Sequence, residues 1–110
     1  MNSQEMETAM RLKLDLVVIV LRDDAYGMIK WKQAGDEFPS YGLDFTNPDF
    51  IKYAESYGAF GHRITKTGEL KEVLGNSFNQ GGLHLIEVPI DYAENITVFM
   101  EELKERTCKI

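Results

Sequence analysis

Residues 14–21, LDLVVIVL, run unbroken from Leu16 to Leu21 through apolar and mostly β-branched side chains, with no polar residue alternating among them. A half-exposed strand would alternate and an amphipathic helix would space its apolar positions three and four apart. The run therefore reads as a strand covered on both faces in a parallel sheet. It is expected to be a central strand, and parallel neighbours require crossover helices, which are right-handed.

The flanking sequence supplies such helices. Asn2 and Glu5 have the spacing of a capping box, which predicts a helix over Ser3 to Leu14 whose Met6, Met10 and Leu14 form one apolar stripe. In NPDFIKYAESYG, Asn47 is placed to cap a helix, Pro48 to open it and Gly58 to end it, with Phe50, Ile51, Ala54 and Tyr57 on one side. AFGHRI is a short strand, and Thr67 opens a helix carrying Leu70, Val73, Leu74 and Phe78 that stops at NQGG. LHLIEVPI is a third strand, and Ile96, Phe99, Met100 and Leu103 mark a last helix. The order α, β, α, α, β, α, β, α predicts a three-layer α/β fold: an open, mainly parallel sheet with helices on both faces.

The 110 residues suit one domain by length. Apolar residues at 44% and charged residues at 27% are ordinary for a globular chain and wrong for disorder. A formal charge of −6 provides no basic field to gather phosphate backbones, so nucleic acid is not an expected partner. No apolar run is long enough to cross a bilayer, and MNSQEMETAM lacks the pattern of a secretory signal. The expectation is a cytoplasmic protein with no membrane partner. A single cysteine, Cys108, excludes an internal disulfide or a cysteine-based zinc site and reads as a bystander thiol.

Ligands of open α/β sheets collect where strands end and helices begin. LRDDAYGMIKWKQ occupies such a place: Asp23 lies just past the strand, and Ala25, Tyr26 and Gly27 turn the chain into a helical segment near Met28. A carboxylate beside backbone carbonyls offers hard oxygens suited to Mg²⁺ carrying a phosphate, and Gly27 permits close backbone approach. By spacing alone the same pair of acids also fits a turn with an N-cap. The following stretch KQAGDEFPSYGLDF, residues 32–45, is predicted to be a long functional or mobile loop.

MNSQEMETAMRLKLDLVVIVLRDDAYGMIKWKQ closely resembles the C-terminal thiamine-diphosphate-binding domain of acetolactate synthase large subunits and related enzymes. That family has a Gly-Asp-Gly segment, a phrase like Met-Asn-x-Gln-Glu-Leu-x-Thr-Ala, a hydrophobic strand ending in Asn-Asn or Asp-Asn, and then Tyr-Gly-Met. Here Met1 to Ala9, the strand to Leu21, Asp23-Asp24 and Tyr26-Gly27-Met28 correspond, and NPDFIKYAESYGAFGHRI and HLIEVPIDYAEN resemble later family segments. Carried over, the resemblance makes Asp23 a side-chain ligand of Mg²⁺ and Ala25 a ligand through its backbone oxygen. Tyr26, Gly27 and Met28 lie along the diphosphate, and Asp24 caps or faces water. The implied cofactors are thiamine diphosphate and Mg²⁺, with FAD in another domain of some members. The implied reaction, part of branched-chain amino-acid biosynthesis, decarboxylates a 2-keto acid such as pyruvate and joins it to a second keto acid. Partners are further copies in a homo-oligomer or the remainder of the same polypeptide.

The departures from the family pattern bear on activity. The Gly-Asp-Gly segment is expected immediately before Met1, and the family's activating glutamate belongs to a separate N-terminal domain. No catalytic residue is therefore assigned within the chain, which is expected to be inactive alone. Lys32 stands where biosynthetic members carry tryptophan and catabolic ones glutamine, with Trp31 one place earlier. His62 and His84 read as hydrogen-bonded structural histidines, Glu87 as a solvated or paired carboxylate, Trp31 as packing, and EELKERTCK as a solvated helix face. The rival is a free-standing α/β binding or oligomerisation module derived from such an enzyme. A flavodoxin-like phosphate binder would need a glycine-rich first loop, and none is visible.

Overall fold

The computed structural model describes residues 3–92. The capping residue Asn2, the last helix and Cys108 lie outside the described residues. Two compact units are present. One comprises the described residues up to Arg22 together with Asn47–Pro89, and the other comprises Asp23–Thr46 and the described residues after Pro89.

The first unit holds α1 (Glu5–Arg11), β1 (Leu16–Arg22), α3 (Phe50–Ser56), β2 (Phe60–Arg63), α4 (Glu69–Gln80) and β3 (Leu83–Pro89), while α2 (Gly27–Gly35) belongs to the second. The three strands of the described residues are parallel, in the order β1-β3-β2. The step from β1 to β2 carries α3, and the step back from β2 to β3 carries α4. Right-handed crossovers running in opposite directions put those helices on opposite faces of the sheet. This is the expected open α/β arrangement.

The centre of the sheet differs from expectation. LHLIEVP, not LDLVVIVL, is the middle strand: Leu83 to Glu87 are all buried, whereas Leu16, Ile19 and Leu21 of β1 are exposed and β1 has one strand neighbour among the described residues. An unbroken apolar run shows that both faces of a strand are apolar. It does not rank that strand among its neighbours, which is a matter of pairing.

The core lies where Leu83 and Leu85 meet Met6 and Ala9 of α1 and Ala54 of α3, with Val18, Val20, Phe50 and Tyr53 packed around them. Burying each such leucine is worth about 1.5–3 kcal/mol. Gly61 allows α3 this close, since a Cβ there would stand 2.9 Å from Ile51 Cα.

Helix boundaries shift for local reasons. α1 stops at Arg11 because Lys13 takes φ +54°, so Leu14 falls beyond the helix and is exposed instead of completing the stripe. α3 is capped by Asp49, whose side chain accepts from the Ile51 and Lys52 amides, and not by Asn47; Pro48 precedes the helix. Gly58, at φ +80°, terminates it as expected. α4 starts at Glu69 and not at Thr67, and the Glu69 carboxylate accepts from the amides of Thr65 and Lys66. Phe78 is exposed on α4 and the small Ser77 is buried in its stead. No described helix is long and apolar enough to cross a membrane.

Candidate functional site

Asp23 follows the last residue of β1 and folds back on its own chain. Its Oδ1 accepts from the Ala25 amide at 3.3 Å and its Oδ2 from the Gly27 amide at 3.2 Å. This is the turn that an aspartate forms with amides downstream, and it sets the carboxylate at the start of α2. Asp24 takes φ +54°, a backbone region that aspartate tolerates better than most residues. Its side chain is exposed, and its carbonyl accepts from the Phe45 amide at 3.2 Å.

Ala25 is buried and forms an isolated antiparallel bridge with Asp44. The bridge is closed by Tyr26 N–H to the Leu43 carbonyl at 2.9 Å and by Phe45 N–H to Asp24, so the Ala25 carbonyl takes no part in it. Part of the expected loop is thus ordered against the site. Its first residues are helical instead, since α2 continues to Gly35. Lys30 anchors the same segment through its ammonium, 2.7 Å from Asp44.

Gly27 is required by crowding. A Cβ there would collide with Asp23 Oδ2 and would lie 2.8 Å from Cζ of Tyr92. Tyr92 packs its ring edge on Gly27, beside Asp23; burial, reinforced by that carboxylate, pushes the phenol above its ordinary range. The first intrahelical bond of α2 runs from Lys30 N–H to the Tyr26 carbonyl, and Gly27 N–H is taken by Asp23. The Met28 and Ile29 amides therefore point out of the helix start without an intrahelical acceptor, and such amides suit an anion.

Asp23, Ala25 and Gly27 line one cavity of about 280 Å³, shared with Lys30, Trp31 and Tyr92. The other two sequence-predicted residues, Tyr26 and Met28, are largely exposed and do not line it; the Tyr26 ring packs on Phe45 with centroids 5.0 Å apart. Trp31, expected only to pack, is part of the cavity wall. Sequence reasoning passed over Tyr92, although it lies just beyond the carboxyl end of β3, the position that drew attention to Asp23. A second hollow of about 200 Å³, lined by Met6, Val18, Val20, Phe50, Tyr53 and Leu85, has almost no polar wall and offers a diphosphate nothing to bond.

The donor set fits a divalent cation that also holds phosphate oxygens. It presents one carboxylate, one carbonyl outside the backbone pairing, and a glycine with no room for a side chain. Among the described residues no group of three His, Cys, Asp or Glu side chains could hold a metal alone. Mg²⁺ is compatible with that poverty, because it keeps several waters and takes only one or two carboxylates beside phosphate oxygens.

Three further titratable groups, His62, His84 and Glu87, are engaged with neighbours in the first unit. The Gly81 carbonyl can only accept from Nε2 of His84, at 2.9 Å, so His84 Nδ1 is left to accept from His62 Nε2–H at 3.0 Å. Burial and the neighbouring His84 lower the pKa of His62. Glu87 is buried and paired, with Oε1 on Arg22 and Oε2 on Arg63 Nε at 2.9 Å.

Over residues 1–88 the sequence matches the family described as thiamine pyrophosphate enzyme, C-terminal TPP binding domain. The chain belongs to this family. This thiamine-diphosphate-binding domain is 39% identical over 102 residues to an acetolactate synthase of Bacillus subtilis (strain 168), covering 93% of the chain and 18% of that protein. It is 37% identical over 103 residues to an acetolactate synthase large subunit of Buchnera aphidicola subsp. Acyrthosiphon pisum, covering 87% of the chain and 18% of the relative. Identity is 33% over 98 residues to the acetolactate synthase isozyme 2 large subunit of Escherichia coli (strain K12), with the same two coverages, 87% and 18%. The thiamine-diphosphate-binding domain thus spans under a fifth of the length of these relatives, and it is related to acetolactate synthases as a C-terminal domain of a thiamine-diphosphate-dependent enzyme.

Proposed function

We propose that residues 1–110 are the C-terminal portion of the thiamine-diphosphate-binding domain of an acetolactate-synthase-like transferase. The intact enzyme decarboxylates a 2-keto acid, pyruvate, and condenses the two-carbon unit with a second keto acid. The observation that carries this reading is the Asp23 turn: a carboxylate held by the Ala25 and Gly27 amides at the mouth of α2, in a chain whose relatives are named acetolactate synthases. On this reading Asp23 ligates Mg²⁺ through its side chain and Ala25 through its carbonyl. Gly27 admits the diphosphate close to the backbone, and the Tyr26 to Met28 segment runs along it with the outward amide of Met28 as donor.

Bound thiamine diphosphate supplies the electron sink for decarboxylation. On this reading the residues named above bind and orient it, and the activating glutamate belongs to another domain, so the 110 residues alone bind and do not turn over; FAD, where used, belongs to another domain of the intact enzyme. The setting is cytoplasmic and oligomeric, within branched-chain amino-acid synthesis. A module without cofactor is the second reading, favoured by the exposed Ile19 and Leu21, which share one face of β1, a surface apt for association with another copy or with the rest of the polypeptide. Calorimetric titration with thiamine diphosphate at several Mg²⁺ concentrations separates the two. Mg²⁺-dependent binding that vanishes in Asp23→Ala supports the cofactor reading, and absence of binding to the unaltered protein overturns it in favour of the module.

A further inference from the structure

The cavity of about 280 Å³ at the start of α2 has one cationic side chain on its wall among the described residues, Lys30, which shares it with the carboxylate of Asp23. Lys30 stands three residues after Gly27 and therefore on the same side of the helix. Its ammonium is held 2.7 Å from Asp44 Oδ1, and Asp44 is the bridge partner of Ala25, so the charge is kept beside the backbone that carries the expected carbonyl ligand. Both side chains of this ion pair are exposed, at 48% and 70%, and an exposed pair contributes little stability by itself. An ammonium has three donors, and the contact with Asp44 occupies one of them. Lys30 thus keeps donors for a second anion at the cavity.

We propose that Lys30 is a cofactor-binding residue whose ammonium donates to the diphosphate. The inference deepens the cofactor reading given above and rests on it. The reason is charge. A terminal phosphate is about doubly ionised near neutral pH and the inner phosphate adds to it, which together exceed what one Mg²⁺ cancels. Asp23 brings a further negative charge, and Asp24 and Asp44 make the surroundings more acidic still. The amides at the start of α2 answer this with partial charges only, whereas Lys30 supplies a whole one. Lysine suits the task as a compact charge on a flexible four-carbon stem, which can meet a phosphate oxygen without the fixed geometry that arginine imposes.

The test uses Lys30→Met, which keeps an unbranched stem on the cavity wall and removes the charge. Thiamine diphosphate binding is followed by calorimetry at saturating Mg²⁺ and several salt concentrations, with the thermal midpoint as a check on folding. Expected is a loss of about ten-fold or more in affinity, the size of one charge-assisted hydrogen bond. The salt dependence should also become shallower, because one cation fewer meets the phosphates. Lys30→Arg should recover both. Unchanged affinity in Lys30→Met overturns the proposal, and so does a lowered thermal midpoint with the salt dependence unmoved, which is the mark of packing alone. Lys52→Met removes the same charge from an exposed position on α3, and an equal loss there overturns the proposal by making the effect one of net charge. In the unaltered protein labelled with ¹³Cε-lysine, the Lys30 resonance, identified by its loss in Lys30→Arg, should move when Mg²⁺ and thiamine diphosphate are added. A resonance that stays in place overturns the proposal even if Lys30→Met fails to fold. Failure of the unaltered protein to bind cofactor at any Mg²⁺ concentration is a separate result, which overturns the cofactor reading and the role of Lys30 with it.

Discussion

The Gly27 amide donates to Oδ2 of Asp23 at 3.2 Å, tying the first residue of α2 to a carboxylate four positions upstream. The contact exists because position 27 has no side chain, and it sets a direct test of the site. Gly27→Ala places a methyl group against Asp23 Oδ2 and within 2.8 Å of Tyr92 Cζ. Overpacking of this kind costs about 1–3 kcal/mol. Urea denaturation should show that loss, and calorimetry should show a weakening of Mg²⁺-dependent thiamine diphosphate binding by about ten-fold or more, since the carboxylate itself must move.

Acid should weaken the first unit through the histidine pair. Burial and His84 lower the His62 pKa from its ordinary 6.5, so the folded state prefers the neutral ring and the unfolded state takes up the proton first. The contribution is whole above about pH 6.5 and is lost as pH falls from there through the lowered folded value. Denaturation midpoints measured between pH 7.5 and pH 5 should fall for the unaltered protein and fall less for His62→Gln. Equal slopes in the two would remove the histidine pair as the cause.

Glu87→Gln keeps the shape of the central strand and removes its charge. Both arginine partners lose a charge-assisted bond, but their side chains are 30% and 46% exposed and can turn to water. The expected loss is about 2 kcal/mol, below the figure for a fully buried pair. Chemical denaturation reads this directly; a neutral outcome would mean that the desolvation of Glu87 cancels both pairs.

Asp49→Ala removes the side chain that accepts from the Ile51 amide at 3.1 Å and the Lys52 amide at 3.5 Å, as well as the 3.3 Å contact with Arg63. Loss of an N-cap is worth about 1 kcal/mol. The thermal midpoint should drop accordingly, with Asp49→Asn close to neutral because it retains the acceptor. An Asp49→Ala midpoint equal to that of the unaltered protein would return the cap to an earlier residue.

Local chemistry carried the elements. β-branched side chains in an unbroken run, glycine at the end of α3 and apolar spacing in α4 each act over a few residues, so the α/β order could be read along the chain before any contact was known. The turn through Asp23, Ala25 and Gly27 was legible in the same way, because an aspartate and a glycine lie within five consecutive positions, whereas the ligand roles expected of Asp23 and Ala25 came from the family resemblance and not from spacing. The choice between Asn47 and Asp49 as cap was less legible, since both residue types accept equally well and only the backbone at position 49 decides.

Tertiary structure decided what depends on neighbours distant in sequence. LHLIEVP and LDLVVIVL are both apolar strands, and the first is central because both of the others pair with it. Glu87 is paired and not solvated because register brings Arg63 opposite it and Arg22 within reach, arginines that lie far apart in the sequence. Tyr92 meets Asp23 only through a chain reversal of nearly seventy residues, and no periodicity or capping rule spans that distance. Short-range energetics specify elements and turns; which strand is buried, and which tyrosine closes on a carboxylate, follow only once the chain has folded back on itself.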